Sequence, residues 1–359
     1  MKILKRLCAA LLAGAVLLTM SACHGKDEIA LTVNDVKITS ALYLNALLES
    51  DTEAKQRIDN ETSDSSDTSA TSEATDYYSK TLDGQKYVDY VKAQALKRCK
   101  EYAFYQTLAD EGTIKLTDEE KSEAEQYANI YWNYYQYNKT YESNGVAFET
   151  YKKAFLYSYY SNAYFMSLYG EGGEQAVSKE DIKKTLTEKY ALVYTLSKTF
   201  DDETTDAEKT ETKNKFNGYV TRLNKGEKFE TIYKEYNNGT GKDVDTSVED
   251  GPKDIYATLI GDEDTSSANA DFDTVFDMKK GEVKLIEAED NAGYTIYVKL
   301  DITEDPYYLT SQTESILYIL KQEDFENLVD EKIADYQVDE NTFATKRFKV
   351  KKLVYPTNS

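Results

Sequence analysis

The sequence predicts an α+β protein: helical segments on both sides of a smaller middle segment that contains a sheet. Three observations predict it. Between Tyr87 and Lys189 apolar and aromatic residues recur at helical spacing, as in the stripe Tyr87, Val91, Ala95, Cys99 and Tyr102. From about residue 190 the period falls to two, with Leu192, Tyr194 and Leu196 alternating with Val193, Thr195 and Ser197. Helical spacing then returns, with Phe325, Leu328, Val329, Ile333 and Tyr336 along one face. A chain of 359 residues suits roughly two domains at about 150 residues each.

The elements follow in order. Lys2, Lys5 and Arg6 precede an apolar run from Leu7 to Leu18, and Ser21, Ala22 and Cys23 follow it. A basic start, a short apolar core and small residues make an export signal rather than a fold element. The cysteine directly after the small residues resembles the bacterial lipoprotein signal. That resemblance implies removal of residues 1–22 and lipidation of Cys23. Two acyl chains give a lasting anchor where one gives only reversible binding. The expected location is extracytoplasmic, on the outer face of the cell membrane.

Residues 29–39 read as a strand and turn, and Thr39 or Ser40 caps a helix through Leu48. Residues 50–80 are rich in Ser, Thr, Asp and Glu, the composition of a disordered insert. A long helix is predicted over 83–112. Thr117-Asp118-Glu119-Glu120 opens another as a capping box, running to about Asn138. Further helices cover about 147–168 and, from Ser178, about 179–189.

In the middle segment, 204–224 and the stretch around Phe229, Ile232 and Tyr236 read as helices. Residues 237–271 read as loop, and Phe272, Val275 and Phe276 as a short helix. Residues 283–288 and 294–300 alternate as two strands about an Asn291-Ala292-Gly293 turn. Residues 346–354 alternate again, Phe348 and Val350 against Lys349 and Lys351, which predicts a terminal strand.

Charge and composition exclude several functions. A net charge of −22 leaves no electrostatic footprint for nucleic acid. Anionic lipid surfaces would repel the chain, so anchoring falls to the lipid. The single histidine, His24, rules out a Ser-His-Asp triad, a Cys-His pair and a histidine-rich zinc site. With Cys23 acylated, Cys99 has no partner for a disulfide and reads as an apolar filler. Asp262, Asp264, Ser266 and Asp273 lack the glycine and terminal glutamate of a calcium loop, so no metal site is predicted. No phosphate-binding glycine loop is present, and no cofactor is implied.

Several fragments of the middle segment resemble parvulin-type peptidyl-prolyl isomerases. They are Leu192–Thr199, Asn224–Glu230, Asp271–Phe276, Met278–Val283 and Gly293–Val298. The flanks resemble PrsA/SurA-type foldases, through Val33-Asn34-Asp35, Gly145–Leu168, Ser178–Ile182 and the helix near 322–336. The resemblance implies a helical chaperone domain split around an inserted parvulin-like domain. Its boundaries would be 23–187, 188–303 and 304–359. The family's first histidine falls at Tyr194, or at Tyr190 in a shifted register. Its second falls at Thr295, and its loop acid or thiol near Asn237–Gly239. Phe272 matches the aromatic residue of the proline pocket. Tyr194, Phe272 and Thr295 are therefore the candidate pocket. Prolyl isomerisation must lower a barrier of about 18–20 kcal/mol, by favouring the twisted amide over the planar one. Loss of both histidines removes part of the polar network for that task.

Tyrosine is concentrated in residues 127–169. Tyr127, Tyr131, Tyr134 and Tyr135 share one helical face, and Phe148, Tyr151, Phe155 and Tyr159 form a second stripe. Tyr157, Tyr160 and Tyr164 lie off that stripe. Two readings stay open: core packing with amphipathic rims, or a surface for unfolded polypeptide. The second makes Tyr131, Tyr134, Tyr135, Tyr157, Tyr160 and Tyr164 candidate client-binding residues. The expectation is a membrane-anchored foldase for newly exported polypeptides, with a degenerate isomerase domain. The alternatives are an active prolyl isomerase, a ligand- or glycan-binding lipoprotein, and a scaffold. A homodimer through the helical domain is compatible with the pattern, but no sequence feature establishes one.

Overall fold

A computed structural model describes residues 28–63, 75–242, 251–263, 265–288 and 292–356. The expectations at Cys23, His24, Asp264 and Asn291 lie outside the described residues. Contacts divide the chain into two compact units. One runs up to Leu168 and resumes at Asp324, and the other is Tyr169–Glu323. The second unit is wider than the 188–303 read from sequence. Beyond residue 303, Asp305 accepts the Lys253 N–H at 2.8 Å and the Glu304 carbonyl accepts from Lys253 Nζ at 3.1 Å, so this stretch is held to the sheet domain.

The first unit begins with a hairpin, β1 (Ile29–Val33) and β2 (Val36–Thr39), turning at Asn34 with a left-handed φ of 49°. Thr39 Oγ1 then accepts the Leu42 N–H at 3.2 Å and starts helix α1 (Ser40–Ser63). The sequence reading ended this helix at Leu48 and began a disordered insert at 50. The helix instead continues to Ser63. Ala54 and Ile58 bury one face, and Lys55–Asp51 at 2.7 Å and Arg57–Glu61 at 3.2 Å pair one turn apart. Strands β3 (Thr81–Leu82) and β4 (Gln85–Lys86) form a hairpin about Asp83-Gly84, both at positive φ. Helix α2 (Tyr87–Asp110) buries Tyr87, Val91, Ala95, Cys99 and Tyr102, the stripe read from sequence.

Helix α3 (Asp118–Asn133) opens with the expected capping box. Thr117 Oγ1 accepts the Glu120 N–H at 3.1 Å, and the Glu120 carboxylate accepts the Thr117 N–H at 2.6 Å. It ends before the expected Asn138, because Gln136 takes a left-handed φ of 59° and redirects the chain into α4 (Tyr137–Asn144). Helix α5 (Phe148–Tyr169) follows, then α6 (Lys179–Lys189), where Ser178 accepts the Asp181 N–H at 3.0 Å.

The second unit is built on β5 (Tyr190–Thr199), then α7 (Asp206–Asn224) and α8 (Phe229–Tyr236). Next come β6 (Ala257–Gly261), α9 (Phe272–Phe276), β7 (Val283–Glu287) and β8 (Gly293–Lys299). The strands form one antiparallel sheet in the order β6-β5-β8-β7. Strand β6 corrects the reading of 237–271 as loop throughout. Each sheet face carries its own core. Leu196, Ile296 and Tyr294 pack with Phe216, Leu223, Phe229 and Ile232 of α7 and α8. Val193, Ile260 and Tyr297 pack with Phe272, Val275 and Met278 on the other side. Helix α10 (Pro306–Ala334) leaves the sheet domain.

Back in the first unit, β9 (Val338–Glu340) pairs with β1 and completes a three-stranded sheet, β2-β1-β9. A short α11 (Thr342–Thr345) follows. The strand expected over 346–354 is absent. Val350–Lys352 is a 3-10 turn, and Phe348, Leu353 and Tyr355 pack on the core of Leu44, Leu48, Trp132 and Tyr151. The alternation of 346–354 reflects anchoring of single side chains rather than a ladder.

Candidate functional sites

The first site is aromatic and lies in the helical unit. Helix α3 buries Ala124, Ala128 and Trp132, four residues apart, and Ala128 and Trp132 pack in the core with Leu44, Leu48 and Tyr151. The opposite face therefore points outward, and it carries Tyr127, Ile130 and Tyr134. The left-handed Gln136 brings the next segment back against this end. Tyr131 stacks on Tyr135 with centroids 5.2 Å apart and lies 5.7 Å from Tyr137 and 5.8 Å from Phe155. Tyr134 meets Tyr135 edge-on at 5.2 Å. Tyr134 is 78% exposed. Five large apolar side chains exposed among the described residues, Tyr127, Ile130, Tyr134, Tyr135 and Tyr137, fall in this short stretch. Such a concentration on one surface is a feature of interaction sites.

The sequence candidates divide here. Tyr134 and Tyr135 lie on this surface, and Tyr131 is half-buried at its base. Tyr157 does not belong to an exposed surface. It is 4% exposed, stacked on Tyr102 at 4.8 Å, and its hydroxyl donates to Gln106 at 3.1 Å. Tyr160 and Tyr164 are half-buried, and Tyr164 packs edge-on against Phe104 at 5.5 Å. Tyr127, Ile130 and Tyr137 were missing from the candidate set. The alanine spacing at 124 and 128 marks the buried face of α3, and would have assigned Tyr127 and Ile130 to the outer one.

The second site is in the sheet domain. Residues opposite one another in an antiparallel ladder share a face, so Tyr194, paired with Val298, lies on the α7–α8 side. Thr295 is paired with Ser197 and belongs to the other face, where Phe272 packs. Tyr194, Phe272 and Thr295 thus do not form one pocket. The cause is strand parity: Tyr194 and Thr295 come from different strands, and the register between them places them on opposite sides.

Tyr194 instead lines a cavity of about 610 Å³ with Phe229, Tyr256, Leu223, Val283 and Val298, and with charged Glu227, Lys228, Lys253 and Asp254. Its ring stacks on Phe229 at 4.6 Å, and its hydroxyl donates to the Asp254 carboxylate. Burial, and then Asp254, push this phenol well above its ordinary value. Asp254 also accepts the Tyr256 N–H at 2.9 Å, so both its oxygens are engaged. Nearby Lys242 is held below its ordinary value by burial. On the opposite face Tyr297 donates to Asp271 at 2.9 Å, and the Thr295 and Ser197 hydroxyls meet at 3.1 Å. The Asn237–Gly239 segment is a turn at the end of α8, with Asn238 and Gly239 at positive φ. Among the described residues no cluster of His, Cys, Asp or Glu is arranged to hold a metal ion. No helix among them is long and apolar enough to cross a membrane.

No protein-family model and no curated protein matches this chain. Solved structures do. The foldase protein PrsA from Streptococcus pneumoniae is 14% identical with a TM-score of 0.40, over 72% of this chain and 89% of that one. The foldase protein PrsA from Lactococcus lactis is 13% identical with a TM-score of 0.40, over 89% and 97%. PrsA from Bacillus subtilis is 18% identical with a TM-score of 0.31, over 68% and 85%.

Proposed function

We propose that this chain is an extracytoplasmic, lipid-anchored foldase or chaperone that holds non-native exported polypeptide on its helical unit. One observation carries the reading: the exposed tyrosine surface at Tyr127–Tyr137. Tyrosine offers a large rigid ring with two side-chain torsions and a hydroxyl that stays hydrated. Contact area therefore comes at little entropic cost and without specificity for one sequence. The export signal before Cys23 supports the location, and the resemblance of the flanks to PrsA/SurA-type foldases supports the class. The sheet domain serves as a degenerate parvulin-like domain, with Tyr194 and Thr295 where the histidines would stand. Separation of Tyr194 from Phe272 supports its being without isomerase activity.

The test is suppression of aggregation of a reduced, unfolded exported protein by the mature chain. Wild type should protect at stoichiometric ratio, and Tyr134→Ala/Tyr135→Ala should lose most of that protection with an unchanged melting temperature. Equal protection by both would remove the tyrosine surface from client binding.

A further inference from the structure

The outer face of α3 is not uniformly aromatic. Glu119, Glu123, Tyr127, Ile130 and Tyr134 succeed one another at steps of three or four, and all five are exposed. At 100° per residue they span an arc of about 80°, a single stripe. Its first half is acidic and its second half aromatic. The helix carries Asp118, Glu119, Glu120, Glu123 and Glu125 against one lysine, Lys121. Three of these carboxylates are engaged. Glu120 closes the capping box, Glu125 meets Lys152 at 3.1 Å, and Asp118 lies 3.6 Å from Lys121. Glu119 and Glu123 have no hydrogen-bond or ion-pair partner among the described residues. Glu123 lies close enough to the stripe's edge to raise the Tyr159 phenol, after burial and together with Tyr127.

From this arrangement we infer that the tyrosine surface selects cationic clients: extended polypeptide segments in which Lys or Arg alternates with apolar or aromatic residues. This rests on the client-binding reading above and adds the charge of the client to it. Two forces point the same way. Free carboxylates beside the stripe attract a cation, and ring faces hold it, since a guanidinium or ammonium is drawn to the electron-rich face of tyrosine. An acidic segment would set its own carboxylates against Glu119 and Glu123 without any compensating lysine on the stripe. Charge complementarity of this kind acts chiefly on encounter and on the rejection of wrong partners.

The experiment uses the full mature chain and three fluorescein-labelled, unstructured peptides. They share one scaffold of Leu, Tyr and Ser, and differ only in three positions held by Arg, Gln or Glu. Affinities are read by anisotropy at low and at high salt. The Arg peptide should bind about 3- to 10-fold tighter than the Gln peptide, and the Glu peptide more weakly still. The advantage should shrink as salt shortens the screening length. Glu119→Gln/Glu123→Gln should abolish the Arg preference and leave Gln-peptide binding unchanged. Asp202→Asn/Glu203→Gln, which removes the same charge from the other unit, should leave the preference in place. Equal binding of the Arg and Glu peptides overturns the inference, as does a preference that both double variants reduce alike. Failure of the Gln peptide to bind, or binding that Tyr127→Ala/Tyr134→Ala leaves intact, instead overturns the client-binding reading, and this inference falls with it.

Discussion

The Tyr355 hydroxyl donates to the Asp51 carboxylate at 2.6 Å, tying the last described turn of the chain to helix α1. Asp51 is fully buried, and it also accepts from the Tyr87 hydroxyl at 2.9 Å and pairs with Lys55 at 2.7 Å. Lys55 in turn lies 3.6 Å from the centre of the Tyr355 ring. One carboxylate thus joins α1, α2 and the C-terminal segment. Tyr355→Phe removes one hydrogen bond and should cost about 1 kcal/mol. Asp51→Ala takes the carboxylate from Lys55 and from the Tyr355 hydroxyl together, leaves the Tyr87 hydroxyl only the backbone carbonyl of residue 51 at 3.1 Å, and should cost about 3 kcal/mol. Urea unfolding followed by tyrosine fluorescence checks the order, and equal losses for the two variants would contradict the network.

Glu49 gives the helical unit a pH dependence. Burial raises its carboxyl above the ordinary range, against the opposing pull of Arg98 and the hydrogen bonds from Tyr102 at 2.9 Å and Asn45 at 2.8 Å. A group raised in the folded state favours folding in its protonated form. That contribution is present below the unfolded-state value and is lost as pH rises through the folded one. Glu49→Gln keeps an acceptor for Tyr102, and should flatten the fall in stability as pH rises above the ordinary carboxylate range. Melting temperatures of both proteins across that rise provide the comparison. Parallel profiles would assign the dependence to other groups.

Local signals in the sequence located most helices, because caps and stripes are local. Thr117 with Glu120, Ser178, and the run from Tyr87 to Tyr102 needed only neighbours to be understood. The continuation of α1 past Leu48 was hidden because only Ala54 and Ile58 supply its buried apolar face, and the ion-paired polar residues around them read as disorder by composition. Strand β6 was hidden because Ala257–Gly261 owes its conformation to pairing with β5, a partner more than fifty residues away. The candidate sites followed the same rule. The outward direction of Tyr134, the C-terminal cap of α3, was legible from helical spacing, whereas Tyr135 lies past the helix end, where the chain turns at Gln136. The separation of Tyr194 from Thr295 was not legible, because the register of β5 against β8 decides it and no local pattern encodes that register. Tyr157 looked surplus to the core stripe until Tyr102 of α2 supplied the ring it stacks on.

That stacking predicts a contrast between tyrosines of one helical unit. Tyr157→Ala removes a buried ring and its hydrogen bond to Gln106, and should cost about 3 kcal/mol. Tyr135→Ala removes a largely exposed ring, and should change stability by less than about 1 kcal/mol. Client protection should respond in the reverse order, falling for Tyr135→Ala and persisting for Tyr157→Ala at temperatures where that variant stays folded. Thermal melts beside aggregation assays on the same samples read both quantities. A Tyr157→Ala protein that melts normally yet fails to protect would restore that residue to the client surface.

The sheet domain carries the last prediction. Catalysis of prolyl isomerisation needs an apolar clamp on the ring, and polar groups that favour the twisted amide at the same place. Here Phe272 is packed among Val193, Val275 and Tyr297, while Tyr194 serves Asp254 from the other side of the sheet. Ser197 and Thr295 engage each other on the Phe272 face rather than standing free. In a protease-coupled assay with a proline peptide, the mature chain should give no acceleration above buffer. Tyr194→Phe should then cost about 1 kcal/mol of stability, and Phe272→Ala about 3 kcal/mol, with no change in the isomerisation rate. Acceleration by wild type that Phe272→Ala removes, while Tyr194→Phe leaves it intact, would place a working site on the Phe272 face. The hydroxyls of Ser197, Thr295 and Tyr297 would then be the polar groups on that face available to favour the twisted amide.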